Sequence, residues 1–378
     1  MKKLKSIPIS IMLIIILFCN GINLTGQEEY KTLEIGQAAP DFLLPGIDGK
    51  NYSLKDFNDG KFLVILFICN HCPTAQSYED RMIQLVNDYK DRGVSFLAVS
   101  PNDPLAVRLD EMGYTDLGDD LEDMKIRAEY KKFNFPYVYD GETQEMSREY
   151  GPVATPHVFI FDQERKLRYA GRIDDSEIAV RPDTKHDTRN ALEALLAGNQ
   201  VPIAKTKTFG CSIKWSDKRE AAQKAFEIIL QEEVKLEEIS TDGVKALVQQ
   251  KPKKLRLINV WATWCGPCVT EFPDLVEINL MYRHRDFEFI SISADKLANK
   301  ENVLEFLKNK HASGRNYIFN GTDNYALIEA VDKNWQGAIP YTMLITSDGE
   351  IIYAQQDAID PLEVKRKIVE VLGREKDW

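Results

Sequence analysis

Two long stretches of the chain repeat one order of apolar and polar positions. The apolar run in "KFLVILFICNHC" (61–72) leads into "PTAQSYEDRMIQLVNDYK", where Met82, Leu85, Val86 and Tyr89 share one helical face. The run in "LRLINVWATWCGPC" (255–268) leads into "VTEFPDLVEINLMY", where Phe272, Leu275, Val276 and Leu280 do the same. New strands are predicted at "GVSFLAVS" and "FEFISIS". A weaker helical region follows in each copy. After it comes a strand preceded by proline and joined to a partner by a turn, in "ATPHVFIFDQERKLRYAGR" and "AIPYTMLITSDGEIIYAQQ". Each copy closes on an amphipathic helix, near "DTRNALEALLAG" and "DPLEVKRKIVEVLG". Strands alternating with helices predict βαβ units around a central mixed sheet, hence an α/β chain of two tandem domains.

Between the copies, "SDKREAAQKAFEIILQEEV" predicts a connecting helix docked on one domain. Asp217 and Glu220 have capping-box spacing, and Ala222, Phe226, Ile229 and Leu230 form a stripe. The expected division is 33–200 for the first domain, 201–233 for the connecting segment and 234–378 for the second domain. Before them, Lys2, Lys3 and Lys5 precede an apolar stretch from Ile7 to Phe18 and a small, polar segment. This is the order of an export signal, placed at 1–26 with cleavage near Gly26. The stretch is shorter than the roughly 20 residues of a membrane span. Cys19 follows Phe18, and lipidation calls for a small residue there. Membrane contact is expected only through this segment if it is retained. The expected location is the periplasm or cell envelope of a bacterium.

The chain has 378 residues, 44% hydrophobic and 28% charged, which suits a globular protein with two cores. A net charge of −11 with no cationic stripe argues against a nucleic-acid partner. After the signal come Cys69, Cys72, Cys211, Cys265 and Cys268. Four of them form two C-x-x-C pairs, each at the end of a predicted strand and the start of a predicted helix. Export places these sulfurs where disulfides persist.

At these residues the chain resembles two thioredoxin-fold domains in tandem. The second resembles exported thioredoxins of the TlpA/ResA type, through "NVWATWCGPC", Glu271, Pro273 and "AIPYTMLI". The first resembles the redoxin (AhpC/TSA-like) branch, from "IGQAAPDFLLPGIDGKNYSLKDF" through "CNHCP" to "VATPHVFIFD". Leu66, Phe67 and Ile68 stand where peroxiredoxins carry the proline and threonine of their peroxidase signature, so that activity is not carried over. The resemblance implies thiol–disulfide exchange, with no cofactor beyond redox-active Cys69–Cys72 and Cys265–Cys268. A sulfur at a helix start is favoured as thiolate. On that ground Cys69 and Cys265 are the expected nucleophiles, and Cys72 and Cys268 the resolving thiols. Pro156 after Thr155 and Pro340 after Ile339 fit the cis-proline loop that receives an extended substrate. Glu271 is the expected proton acceptor, since Asn259 stands where cytoplasmic thioredoxins have an aspartate. His71 is expected to tune Cys69 and make the first pair the more oxidising, so that electrons run from the second pair to the first.

Competing readings stay open. Cys69, Cys72 and His71, with His157 as an optional further donor, form a set suited to copper(I). A thiol-dependent peroxidase is the second alternative, and a first domain that only positions client proteins is the third. A structural zinc half-site at "WCGPC" lacks a second Cys/His pair, and haem attachment fails because Pro73, not histidine, follows Cys72. No metal is expected. Cys211 is read as an inert thiol, with a third redox partner as the alternative. Trp261 is expected to pack, Trp264 to form a surface platform, His157 to have no chemical role, and "DLGDDLED" to be a solvated helix start. Expected partners are exported proteins with disulfides and an upstream dithiol reductase.

Overall fold

The computed structural model describes residues 30–177 and 180–374. The expected export signal at 1–26, with Cys19, lies outside them. Among the described residues no helix is long and apolar enough to cross a membrane.

The first unit opens with the hairpin of β1 (Leu43–Pro45) and β2 (Asn51–Ser53). It continues through β3 (Phe62–Phe67), α1 (Pro73–Tyr89), β4 (Val94–Ser100), α2 (Leu121–Lys131), β5 (Tyr137–Tyr139) and α3 (Glu145–Tyr150). Then come β6 (Ala154–Thr155), β7 (His157–Phe161), β8 (Leu167–Gly171), α4 (Asp187–Leu196) and β9 (Cys211–Ser212). Its five-stranded sheet has the order β5-β4-β3-β7-β8. The strand β3 is parallel to β4 and antiparallel to β7. It is apolar throughout because both faces of the sheet are covered. Val64 and Leu66 join Tyr78, Met82 and Leu85 of α1 in one core, while Leu63, Ile65 and Phe67 join Phe42, Met146 and Tyr150 in the other.

After α5 (Arg219–Leu230) the plan repeats. The second unit holds β10 (Glu237–Ile239), α6 (Thr241–Gln249), β11 (Leu255–Trp261), α7 (Gly266–Tyr282), β12 (Phe287–Ser293) and α8 (Lys300–Asn309). It ends with β13 (Arg315–Phe319), α9 (Asn324–Val331), β14 (Tyr341–Ile345), β15 (Ile351–Gln356) and α10 (Pro361–Leu372). The order β10-β13-β12-β11-β14-β15 again puts the strand that leads to the cysteines in the middle. Leu255 and Leu257 pack on the side of α7 and α10, while Ile258 and Val260 face the core under α6 and α9. Both units are therefore mixed sheets flanked by helices, as the alternation of strands and helices predicts.

Three local expectations are corrected. Residues 201–214, assigned to the connecting segment, are bound to the first unit. Lys205 bridges to Ala170, β9 pairs with β6, and the Lys214 N–H donates to Asn102 Oδ1 at 2.9 Å. The capping box of Asp217 and Glu220 does not form, because α5 begins at Arg219 after a 3-10 turn and Lys218 is its N-cap. Nor does α5 dock on one domain only. It lies against the turn at Pro104–Ala106, and Phe226 and Ile229 pack into the core of the second unit.

The acidic stretch is also not simply solvated. Asp116 is buried, and its carboxylate meets Arg374 Nη1 at 2.6 Å, Arg366 Nε at 3.2 Å and Arg127 Nη1 at 3.7 Å. Two of these arginines belong to the end of the second unit, and the Tyr282 hydroxyl donates to the Thr115 carbonyl at 2.6 Å beside them. Burial alone would raise the Asp116 pKa, but the arginines hold it below the ordinary carboxylate range. Removing one partner of a buried charge group strands the others. Asp116→Ala is therefore expected to cost about 3 kcal/mol in denaturant unfolding, and Asp116→Asn less. A cost within about 0.5 kcal/mol, the range of an ordinary surface substitution, would mean these pairs do not hold the junction.

Candidate active sites

In the second unit β11 ends at Trp261 and α7 begins at Gly266, so Cys265 is the N-cap. Its Sγ accepts the Cys268 N–H at 3.3 Å, and Cys265 and Cys268 are joined as a disulfide. The Ile339 carbonyl oxygen lies 3.5 Å from Cys265 Sγ, and the Ile339–Pro340 peptide is cis. Cys268 is wholly buried and Cys265 is 6% exposed. Trp261 is buried against Phe272 and Phe306, whereas Trp264 is 68% exposed beside the disulfide. Glu271 is buried one turn along α7. Its Oε1 accepts from Asn259 Nδ2 at 3.0 Å and its Oε2 from the Ile359 N–H at 2.9 Å. Burial raises its pKa above the carboxylate value of 4.5, and those two hydrogen bonds only partly oppose it.

The first unit uses the same frame with a different register. Phe67 pairs with His157, the residue after cis Pro156, as Val260 pairs with Tyr341, the residue after cis Pro340. Counting forward from these pairs, Cys72 corresponds to Cys265, Ala75 to Cys268 and Cys69 to Ala262. The contacts agree. Cys72 is the N-cap of α1, its Sγ accepts the Ala75 N–H at 3.4 Å, and the Thr155 carbonyl lies 3.2 Å away. Assigning Cys69 as the sulfur at the helix start is thereby corrected. The helix starts at Pro73, because Pro is favoured in a first turn whose N–H groups are unpaired anyway. That start leaves Cys69 at the end of the strand, with its Sγ 3.1 Å from Thr155 Oγ1.

Cys69 and Cys72 are both buried and move in opposite directions. Burial opposes a charge on Cys72, but hydrogen bonds from Cys211 and Cys69, the His71 cation and the Ala75 N–H outweigh it. They hold the Cys72 thiol well below the ordinary cysteine range. Burial, the hydrogen bond with Cys72 and the Asp119 charge push Cys69 up. His71 therefore acts on Cys72 and not, as expected from the sequence, on Cys69. Its Nδ1–H donates to Asp119 Oδ2 at 2.5 Å in a fully buried pair. Burial works against the imidazolium, but the Asp119 charge and hydrogen bond raise its pKa above 6.5.

Asp119 is the residue that sequence reasoning missed. Its Oδ1 accepts the N–H groups of Asn70 and His71 at 2.8 and 3.0 Å, and its Oδ2 also accepts Asn102 Nδ2 at 2.8 Å. Asp119 and Asn102 reach the site from distant segments, and no local spacing announces either. Cys69, His71 and Asp119 bring potential metal-ligand atoms within 4.8 Å of one another. Asp119, however, already accepts four hydrogen bonds, so a metal there would have to displace them. His157 does not join this group. Its Nδ1 accepts the Val153 N–H at 3.3 Å, and burial pushes its pKa down to about 3, so the ring is neutral. His157, the additional donor considered for copper(I), is therefore not part of the cluster of Cys69, His71 and Asp119.

Cys211 is brought to the first site by β9, opposite Thr155. Its N–H donates to Cys72 Sγ at 3.3 Å. Gly210 permits the approach: at φ +128° it adopts backbone that other residues avoid, and a Cβ there would lie 2.0 Å from the Thr155 carbonyl oxygen. Cys211, expected to be an inert buried thiol with a third redox partner as the alternative, is thus only partly buried and stands against Cys72.

The AhpC/TSA family matches residues 35–170, and the Redoxin family matches residues 199–371. The thiol-disulfide oxidoreductase ResA of Bacillus thuringiensis subsp. konkukian (strain 97-27) is 26% identical over 162 residues, covering 41% of this chain and 82% of its own. The ResA of Geobacillus thermodenitrificans (strain NG80-2) is 24% identical over 196 residues, covering 51% and 98%. Among solved structures, an uncharacterized conserved protein from Geobacillus kaustophilus is 39% identical, with a TM-score of 0.44, covering 49% of this chain and 94% of that one.

The His71–Asp119 pair sets a pH dependence. Because the His71 pKa is raised in the folded chain, its stabilising charge is complete below the unfolded imidazole value of about 6.5. It is lost as pH rises through the folded value. Asp119→Asn should move that loss to lower pH and slow iodoacetamide labelling of Cys72 at pH 7 about tenfold, read by peptide mass spectrometry. Unchanged labelling would mean that the pair does not act on Cys72.

Proposed function

As the chain is a tandem of two thioredoxin-like domains of the AhpC/TSA and Redoxin families, we propose that it is an exported thiol–disulfide oxidoreductase working through both units. The observation that carries this is Cys265 at the N-cap of α7, disulfide-bonded to Cys268 and flanked by the cis-proline loop. In the reductive direction the Cys265 thiolate attacks a substrate disulfide and one substrate sulfur leaves. Cys268 gives its proton to Glu271 and attacks Cys265 Sγ, which releases the second substrate sulfur and closes Cys265–Cys268. The raised pKa of Glu271 narrows its gap to the thiol, so the proton transfer is less uphill. Ile339 and Pro340 offer backbone to an extended substrate segment, whereas the expected counterpart, Thr155 before Pro156, is buried and already paired with Cys211 of β9. No cofactor beyond the cysteines enters this reading.

The basic and then apolar order of the first residues supports export, which makes disulfide-containing exported proteins the substrates and an upstream dithiol the source of electrons. The donors and the His71 charge around Cys72 favour its thiolate and hence the reduced state of the first site, which supports the reading that this site is the more oxidising of the two. On this reading electrons run from Cys265 and Cys268 to the first unit wherever the two sites can meet.

Cys268→Ser is expected to accumulate mixed disulfides through Cys265, because the attacking thiol that releases substrate is gone. Non-reducing electrophoresis with a disulfide-bonded client protein reads this, and the absence of any adduct would remove the nucleophile assignment.

Glu271→Gln should slow turnover by roughly tenfold or more and flatten the pH–rate profile without unfolding the unit. An unaltered profile would reduce Glu271 to a packing role.

A further inference from the structure

The first unit has a nucleophile position but no sulfur where the second unit keeps its resolving thiol. Ala75 stands in the place of Cys268, with its N–H on Cys72 Sγ as the Cys268 N–H is on Cys265 Sγ. Two other sulfurs are within reach of Cys72. Cys69 lies behind it at the strand end, 4% exposed and in contact with Thr155 Oγ1. Cys211 comes from a separate segment, is partly exposed, and presents both its N–H and its side chain to Cys72 Sγ.

This segment is built to stay there. Thr155 and Cys211 are paired residues of β6 and β9, Gly210 passes against the Thr155 carbonyl, and Asn102 joins the Lys214 N–H to the Asp119 carboxylate. The carboxylate that holds His71 thus also holds the strand that carries Cys211. A thiol ionises more readily where water reaches it than in a closed core beside an aspartate. Cys211 meets the first condition and Cys69 the second.

We propose that Cys211 is the resolving thiol of the first site, so that its working disulfide is Cys72–Cys211 and not Cys69–Cys72. The Cys72 thiolate attacks one sulfur of a substrate disulfide. A bond forms between Cys72 and that sulfur, and the other substrate sulfur leaves as a thiolate that takes a proton from solvent. Cys211 loses its proton to solvent and attacks Cys72 Sγ, forming Cys72–Cys211 and expelling the second substrate thiolate. Two protein thiols are oxidised and one substrate disulfide is reduced to two thiols. A dithiol, the class to which reduced Cys265 and Cys268 belong, returns the site to its starting state. The proposal rests on the reading of the first unit as a redox site.

The test uses the full chain with Cys265→Ser and Cys268→Ser, which silences the second site. The reduced protein is exposed to glutathione disulfide, quenched with acid, blocked with N-ethylmaleimide and digested with trypsin. Cys69 and Cys72 share the peptide 62–81, and Cys211 lies on 208–214, so Cys72–Cys211 links two peptides while Cys69–Cys72 closes a loop within one. The linked peptides are expected as the main oxidised product. Cys69→Ser should leave the linked peptides as the main oxidised product, whatever their rate of formation, whereas Cys211→Ser should abolish them and raise the Cys72–glutathione adduct on the order of tenfold. If the looped peptide dominates and Cys211→Ser changes nothing, Cys69 is the resolving thiol and the proposal is wrong, while the first unit remains a redox site. If none of the three thiols oxidises under conditions that close Cys265–Cys268 in the unmodified chain, the proposal fails together with the redox role of the first unit. The role of the second unit is untouched by either result. The unmodified first site supplies the primary observation, so the result does not depend on how the variants fold.

Discussion

A sulfur that must carry negative charge inside a protein needs donors that are already in place. Both units meet this requirement in one way, with a backbone N–H of the first helical turn directed at the sulfur of the N-cap cysteine. The first N–H groups of a helix have no partners within it and carry the positive end of its dipole, so they favour a thiolate without a charged side chain. The surrounding fold serves that arrangement. The central strand delivers the chain to the helix start, and its antiparallel neighbour brings the cis-proline loop to the opposite side.

The two sites diverge in what else touches the sulfur. The second has Cys268, the proposed resolving thiol, in the first turn of the same helix and a buried carboxylate, Glu271, a turn further on. Its chemistry is local. The first recruits Asp119 through His71, Asn102 through Asp119, and Cys211 through a strand from the far end of the unit. Its thiolate therefore depends on an ion pair and on tertiary contacts that bring three distant segments together.

One loop serves two purposes in this arrangement. Asp119 faces the first site, and Asp116, three residues earlier, receives Arg366 and Arg374 from the end of the second unit. Both carboxylates are buried, and each is offset by a cation, so neither can be lost without stranding its partner. The loop that orders the His71 pair is the loop that joins the units, which ties the geometry of the first site to the docking of the second.

The α/β plan, its repetition and the second site were legible in the chain itself. Apolar runs of strand length followed by helical stripes depend only on local periodicity, and a C-x-x-C closed within one helical turn needs nothing from afar. Thr155–Pro156 and Ile339–Pro340 could be located through the resemblance to thioredoxin-fold chains, since periodicity alone does not mark a cis-proline loop. What the sequence could not determine was the register of the first pair. "CNHC" and "CGPC" look alike as strings, yet Pro73 starts the helix after the second cysteine of one, and Gly266 starts it after the first cysteine of the other. Nor could it place Asp119, Asn102 and Cys211, which lie far along the chain from Cys72. Only the pairing of β9 with β6 and the buried hydrogen bonds of Asp119 bring them there, because contacts between distant segments follow from packing in three dimensions and leave no periodic trace in the sequence.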